Sequence, residues 1–252
     1  NESDYLQIGY NLTSIASVES LGNLETQLYY DFDEVTGATQ AFDDSGFNRN
    51  ATYFGNPNLN ILGVDKTGVS FDGVDDYLTV PFNESFSPNQ TQEWITCFSI
   101  NPLGGLPNDK TVFEFQNSNG FLLKTDDPEL KFETDSVNDG AKNLKTLHQF
   151  IENDYVPVCV YLSNESMAFY VNGALDIEQV VTQNGGFLPD NPSINFTIGS
   201  RVAIEKFLIA HVDEFCMFTS DDLDEEQIAS IYADTLECNV FTGDLPSLTI
   251  EN

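Results

Sequence analysis

Residues 71–81 read FDGVDDYLTVP, and this stretch does most to decide the fold. Asp72-Gly73 is a turn dipeptide, and Leu78 and Val80 after it share one face because side chains alternate along a strand. The aspartates also raise the question of a metal loop. An EF-hand needs acids at alternate positions before its glycine, and that spacing is absent here. The stretch is therefore interpreted as the turn of a hairpin.

The rest of the chain has the rhythm of an all-β protein. Short apolar runs recur at spacings of roughly 8–12 residues, separated by Gly, Asn, Asp and Pro, which is typical of an antiparallel sandwich or barrel. Examples are QLYYDF, TVFEFQ, GFLLKT, VPVCVYL and INFTIGS. A capping box at 223–228 predicts one short helix near the C-terminus. No run approaches the roughly 18 apolar residues of a membrane-spanning helix, so membrane insertion is not expected.

The charge balance restricts the partners. The chain carries 41 acidic and 9 basic residues, for a net charge of −32. Such a surface repels DNA, RNA and anionic membranes, so no nucleic-acid partner is expected. Mutual repulsion that keeps the protein in solution is one interpretation of the charge. Calcium binding and adaptation to high salt are the alternatives.

Cysteines and glycosylation motifs favour an extracellular location. The four cysteines lack metal-site spacing, and their even number allows two disulfides. If Phe215 and Met217 face the core, strand alternation turns Cys216 outward, beneath the predicted helix. We expect Cys216 to pair with Cys238, just after that helix, which leaves Cys97 with Cys159. Free buried thiols are the alternative. Seven asparagines begin Asn-x-Ser/Thr motifs and are candidate N-glycosylation sites: Asn1, Asn11, Asn50, Asn83, Asn89, Asn164 and Asn195.

Several stretches resemble, in the right order, the laminin G-like, concanavalin A-like jelly-roll family. They are LYYDFDEVTG (28–37), DDSGFNRNATYFG (43–55), GVSFDGVDDYLTVP (68–81), FYVNGAL (169–175), FTIGSR (196–201) and VDEFCMFTSDDLDEEQIASIY (212–232). The resemblance implies an antiparallel two-sheet jelly-roll sandwich over residues 25–235. An extension over 1–24 and a tail over 236–252 flank it as extended segments. Ser99 departs from the pattern, because an aromatic residue is expected there.

The resemblance also allows a test for catalysis. Glycosidases of this fold place three carboxylates on alternate residues of one strand, so that acid and nucleophile flank the sugar bond. The nearest stretch is 129–133, where Glu129 and Glu133 share a face but Lys131 occupies the middle position. A cation between the two glutamates is expected to form an ion pair rather than an active site. The sequence therefore predicts that the protein is not an enzyme.

A structural calcium ion is a further expectation of the resemblance, because members of this fold often carry one. Calcium takes six to eight oxygen ligands. The predicted ligands are Asp33, Asp44, Asn48 and Asp213. Asp43 and Asp44 have an alternative role as turn residues whose side chains bond the backbone two residues on.

The N-terminal extension contains a strand pattern of its own. Leu6, Ile8, Tyr10 and Leu12 alternate with polar residues and face one way in a strand. This strand either pairs with its own sandwich or joins the edge of a neighbouring subunit, and the second arrangement builds a filament. We expect a non-enzymatic extracellular module for adhesion or assembly, as in a filament or surface layer, whose partners are copies of itself or other extracellular proteins. The alternative is a calcium-dependent lectin domain that binds glycans.

Overall fold

The computed structural model of the protein describes residues 24–81, 93–115, 120–136, 140–151, 153–163, 165–180, 196–202 and 204–220. Within these ranges the chain forms sixteen strands. They are β1 (Glu25–Tyr30), β2 (Gln40–Ala41), β3 (Ala51–Phe54), β4 (Asn58–Leu62), β5 (Thr67–Asp72), β6 (Tyr77–Val80), β7 (Glu93–Asn101), β8 (Thr111–Phe115), β9 (Phe121–Asp126), β10 (Glu129–Ser136), β11 (Gly140–Lys145), β12 (Val156–Leu162), β13 (Ser166–Val171), β14 (Ala174–Val180), β15 (Phe196–Ile198) and β16 (Ile209–Ser220). Among the described residues, no helix has the length and apolar character to cross a membrane. The predicted helix, both tails and their boundaries lie outside these ranges.

The strands form two antiparallel sheets of eight, as expected for the sandwich. Sheet A has the order β14-β13-β12-β7-β16-β5-β4, and β1 pairs with the second half of β16. Sheet B has the order β11-β10-β9-β8-β15-β6-β3-β2. Each sheet joins runs of consecutive strands through pairs that are distant in sequence, such as β7–β16 in sheet A and β8–β15 in sheet B, which is typical of a jelly roll rather than a simple meander.

The stretch at 71–81 connects the two sheets, so the hairpin interpretation is wrong. β5 pairs with β16 and β4 in sheet A, whereas β6 pairs with β15 and β3 in sheet B. Phe71 and Leu78 lie on either side of the turn and are both fully buried in the core between the sheets. The same alternation of apolar residues suits a hairpin and a sheet-to-sheet connection, so the pattern alone could not separate them.

Alternation does place the core side chains correctly. Met167, Phe169 and Val171 of β13 face the core, as their spacing predicts. Phenylalanine rings dominate the space between the sheets, and Trp94 packs against Phe113, Phe121 and Phe132 with ring centroids 4.5–6.1 Å apart. Large rings bury much apolar area each, so this cluster contributes strongly to the closing of the sandwich.

The outer face of sheet A carries a second buried cluster. Its members are Tyr29, Ile95, Cys97, Cys159, Tyr161, Ala168, Cys216 and Phe218. Cys97 and Cys159 face each other in the β7–β12 pair and form a disulfide with a Cα–Cα distance of 4.1 Å. Cys216 is on this outer face, as predicted, and is also disulfide-bonded. Cys238 lies outside the described residues, so the Cys216–Cys238 pairing stays a prediction.

Candidate functional site

Two of the predicted calcium ligands hold the turn between β4 and β5. The Asp213 carboxylate is buried at a bulge in β16, and its Oδ2 accepts a hydrogen bond of 2.7 Å from the Val64 amide. Asp33 accepts hydrogen bonds from the amide of Thr67 at 3.0 Å and from Nζ of Lys66 at 2.7 Å. Burial raises the pKa of Asp213 to about 7. Both carboxylates therefore have a structural role in fixing this turn.

The other two predicted ligands belong to the turn that follows β2. Asp43, rather than Asp44, organises it: the Asp43 carboxylate accepts hydrogen bonds from the amides of Tyr29, Ser45 and Arg49 at 2.8–3.1 Å. The bond from Ser45 is the predicted contact two residues on. Asn48 has a φ of 57°, which its short side chain tolerates.

Asp44 lines an open cleft of about 430 Å³ together with Asp31, Asp33 and Glu34. In the described part of the chain, the carboxylate oxygens of Asp33, Asp44 and Asp213 do not all lie within 4.8 Å of one another. Three other aspartates do meet this distance, and they are described below. Calcium binding by the four predicted ligands stays a prediction.

The predicted ion pair on β10 is present. Nζ of Lys131 lies 2.7 Å from Oε1 of Glu133, and Nζ of Lys124 lies 3.1 Å from the same atom. Burial opposes ionisation of Glu133, but the bonds to these two lysines outweigh it and lower the pKa of the glutamate. A general acid needs a raised pKa. Glu133 is therefore unsuited to be the proton donor of a glycosidase.

A more enclosed pocket lies at one end of sheet A, where no prediction placed a site. We name it the His148 pocket; it has a volume of about 240 Å³ and its lining includes His148, Gln149, Phe150, Asp154, Tyr155 and Asn172. Three separate pieces of chain build it: the segment after β11, the start of β12 and the turn between β13 and β14. The only sequence signal was Asn172-Gly173, a dipeptide typical of tight hairpin turns, whose φ angles are 52° and 75°.

Hydrogen bonds between side chains and the backbone, and one contact between rings, fix the walls of the His148 pocket. The Asp176 carboxylate accepts hydrogen bonds from the amides of Leu147 and His148 at 2.6 and 3.1 Å. The Tyr155 hydroxyl donates to the Leu62 carbonyl at 3.0 Å, and the rings of His148 and Phe150 meet edge to face at 4.8 Å. The pocket therefore keeps its shape without using the polar ends of Gln149 or Asn172.

A compact acidic cluster lies in the stretch that connects the two sheets. Asp72, Asp75 and Asp76 each bring one carboxylate oxygen within 4.8 Å of the other two. Asp72 Oδ1 accepts the Val74 amide at 2.8 Å, and Asp76 Oδ2 accepts the Asp72 amide at 3.1 Å. Burial, and then the charge of Asp72, raises the pKa of Asp76 to about 6. Sequence spacing gave no sign of this convergence, because the three acids do not follow an EF-hand pattern.

Other predicted sites lie outside the described residues. These are the assembly strand at Leu6, Ile8, Tyr10 and Leu12, and the glycosylation candidates Asn1, Asn11, Asn83, Asn89, Asn164 and Asn195. The candidate Asn50 is described and half-buried, and its Oδ1 accepts the Asp43 amide at 2.9 Å. All of these assignments stay predictions.

Comparison with solved structures finds the same fold in bacterial toxin domains. The binding domain of paraclostridial mosquitocidal protein 1 has 16% sequence identity and a TM-score of 0.65 over 84% of this chain and 52% of that one. The ligand-binding domain of botulinum neurotoxin serotype D, solved with N-acetylneuraminic acid, has 18% identity and a TM-score of 0.61 over 83% and 50%. A structure of botulinum neurotoxin type C, described as entering cells through two ganglioside molecules, has 17% identity and a TM-score of 0.62 over 84% and 51%.

The chain thus spans about half the length of the solved structures that it matches. No curated protein matches the sequence. A laminin G-like family model, described as the concanavalin A-like lectin/glucanases superfamily, matches residues 71–229, which is more than half of the chain. The chain belongs to the concanavalin A-like lectin/glucanases superfamily.

Proposed function

We propose that this protein is a non-enzymatic module that binds neutral glycans in the His148 pocket and serves in adhesion outside the cell. The observation that carries the proposal is the lining of that pocket. Amide, carboxylate and imidazole groups converge on it beside aromatic rings, and the side-chain amides of Gln149 and Asn172 make no hydrogen bond within the described ranges. Sugar recognition uses this combination of directed polar groups and a ring to pack against.

The size of the pocket suits one sugar unit. Its volume of about 240 Å³ is below the ~300–1,000 Å³ of sites for drug-sized ligands. A single ring held by a few hydrogen bonds binds weakly, with a Kd on the order of 1 mM, about −4 kcal/mol. Useful adhesion then requires several modules acting together. Such multivalency also fits the assembly role predicted for the N-terminal strand, although that strand is a separate expectation.

The charge of the protein favours a neutral sugar. The chain has a net charge of −32, and Asp154 adds a carboxylate to the pocket itself. A sialylated or sulfated glycan therefore meets repulsion that a neutral hexose does not. Of the toxin domains named above, the serotype D domain was solved with N-acetylneuraminic acid and the type C toxin is described as interacting with gangliosides, but at under 20% identity the likeness carries only the fold.

Extracellular location is supported by the Cys97–Cys159 disulfide, because such bonds persist mainly in oxidising compartments. The absence of catalysis is supported by the ion pair at Glu133 and its lowered pKa. Calcium dependence of glycan binding, as in the lectin alternative, is tested by repeating each binding measurement in chelator.

The test is a glycan array probed with the full chain, followed by titration of the best ligand. We expect saturable binding to neutral glycans and weak binding to sialylated and sulfated ones. Asn172→Asp retains a residue that tolerates positive φ but replaces an amide donor with a second carboxylate in the pocket. Loss of such a hydrogen bond costs about 1–3 kcal/mol, so affinity falls by roughly 5-fold to 150-fold.

Asn56→Asp is the matched control. Asn56 also has a positive φ, 81°, and lies in the turn between β3 and β4, outside the residues that line the pocket. This variant should bind as the wild type does. The proposal fails if no neutral glycan binds saturably, or if the two variants bind equally well.

A further inference from the structure

Three of the four cysteines lie side by side on the outer face of sheet A. Strands β12, β7 and β16 are neighbours, and the register places Cys97 opposite Cys159 on one side and opposite Cys216 on the other. All three belong to the buried cluster of this face, separate from the core between the sheets, and each is at most 2% exposed. They form a row across three strands, which we name the cysteine row, with Cys97 in the middle.

The middle cysteine can bond to either neighbour without a change in strand pairing. Directly opposite residues of an antiparallel pair have Cα atoms about 4.5–5.5 Å apart, and disulfides usually span roughly 4.4–6.8 Å. Cys97 is bonded to Cys159. Cys216 occupies an equivalent position on the other side but is held in a different disulfide, for which Cys238 is the predicted partner.

A bulge in β16 creates this alignment. The register between β16 and β7 shifts between Asp213 and Cys216, and Glu214 within the bulge has a φ of 52°. Without the extra residue, Phe215 rather than Cys216 would stand opposite Cys97. A bulge re-aims the side chains that follow it, and this one places a third cysteine beside an existing disulfide.

We propose that the cysteine row is a thiol–disulfide switch in which Cys97 exchanges Cys159 for Cys216. An external monothiol of the glutathione class first attacks the partner of Cys216, bonds to that sulfur and leaves Cys216 as a thiolate. The Cys216 thiolate then attacks Sγ of Cys97. The new bond forms as the Cys97–Cys159 bond breaks, and Cys159 leaves with the electron pair as a thiolate.

The order of the row suits this exchange. Displacement at sulfur runs in line, with the attacking and leaving sulfurs on opposite sides of the central one, and Cys97 lies between the other two. The second step has no net oxidation or reduction, so the only reagent that it needs is the monothiol of the first. Exchange unties β12, whose first residue lines the His148 pocket, and ties β7 to β16 instead. The proposal does not depend on glycan binding.

Cys238→Ser tests the exchange in the full chain, because the variant leaves Cys216 as a thiol from the start. The protein is equilibrated under nitrogen, quenched with acid and alkylated, and its linkages are mapped by mass spectrometry of peptides. We expect Cys97–Cys159 and Cys97–Cys216 in a ratio between about 0.1 and 10, because both pairings have the same register and face. Equilibration should be faster at higher pH, since the thiolate is the attacking species.

Cys216→Ser is the control, because it also has one thiol but places serine in the row. It should retain Cys97–Cys159 alone, and the double variant Cys216→Ser/Cys238→Ser reports any rearrangement during handling. If Cys238→Ser does not fold, wild-type protein treated with limiting glutathione should give the same two linkages, with Cys159 alkylated where exchange has occurred. The proposal is overturned if the Cys97–Cys216 linkage falls below the expected range, or if Cys216→Ser rearranges as readily as Cys238→Ser.

Discussion

Buried carboxylates fix several turns of this protein, and each of them ties the chain at a place where strand pairing ends. Asp213 binds the Val64 amide below the β4–β5 turn, and a Cβ on Gly63 would lie 2.3 Å from Asp213 Oδ2. Asp43 binds three amides at the turn after β2. Glu114 of β8 accepts the Val202 amide, from the segment that follows β15. These groups replace backbone pairing with side-chain acceptors.

Glu114 leads to a pH-dependence prediction. Burial raises its pKa despite the hydrogen bond from the Val202 amide. Between the ordinary glutamate value of about 4.3 and this raised pKa, the folded state binds more protons than the unfolded state. Stability therefore declines as pH rises through that interval. Glu114→Gln is neutral at every pH and should lose this decline, as measured by urea unfolding of both proteins at pH 4.5 to 7.

Glu133→Gln provides a control of opposite sign on the same face of sheet B. The pKa of Glu133 is lowered by its lysine partners in spite of burial. The contribution of ionised Glu133 to the free energy of unfolding is therefore present above the ordinary glutamate pKa. It is lost as the pH falls through the lowered pKa. A Glu114→Gln protein whose pH dependence matches that of the wild type would contradict the prediction.

The strands show how much the alternation of apolar residues in the sequence predicts by itself. Alternation correctly placed Met167, Phe169 and Val171 in the core and Cys216 on the opposite face. It could not separate a hairpin from a sheet-to-sheet connection at 71–81, because burial of Phe71 and Leu78 is the same in both. Pairing partners depend on contacts between residues far apart in sequence, which a local pattern does not contain.

The sites were harder to anticipate than the strands for the same reason. The His148 pocket combines residues between 148 and 156 with Asn172, which lies sixteen residues further along the chain, in the turn after another strand. The acids at 72, 75 and 76 are local, but their convergence depends on a turn geometry that the spacing does not specify. The family resemblance predicted Asp33 and Asp213 as calcium ligands. In the structure, both carboxylates accept hydrogen bonds from backbone amides.

The disulfide between β7 and β12 leads to a stability prediction at the level of elements. Cys97 and Cys159 are 62 residues apart in sequence and directly opposite in the sheet. Closing such a loop stabilises a fold by about 2–4 kcal/mol, mainly by restricting the unfolded chain. The double variant Cys97→Ala/Cys159→Ala should lose about this much in guanidinium unfolding. It keeps the disulfide of Cys216, so the difference isolates this bond, and equal unfolding midpoints would contradict the estimate.

Over the whole molecule, positive charge is scarce and mostly engaged. The ion pairs beside the outer face of sheet B involve Lys124, Lys131, Lys145, Arg201 and Lys206. With 41 acidic residues against 9 basic ones, most carboxylates have no such neighbour. The folded state therefore carries a large self-repulsion that expansion of the chain relieves.

Added salt should stabilise the protein. The Debye length shrinks from about 30 Å at 0.01 M to about 10 Å at 0.1 M, so potassium chloride screens the repulsion among carboxylates. We expect the thermal midpoint to rise over this range, with chelator in every sample so that calcium does not contribute. Tetramethylammonium chloride at the same ionic strength is the control for specific cation binding. A midpoint that falls with salt would show that the ion pairs of sheet B outweigh the repulsion.

The Cys97–Cys159 bond also sets how the protein behaves under mechanical load. The covalent loop that it closes contains the whole of β8, β9, β10 and β11, half of sheet B. When the chain is pulled from its two ends, tension passes through the bond and bypasses these strands. At about 3.3–3.6 Å per extended residue, the loop withholds roughly 200 Å of length until the bond is reduced. Reduction of the bond therefore allows any tether built from this module to lengthen by about that amount under load.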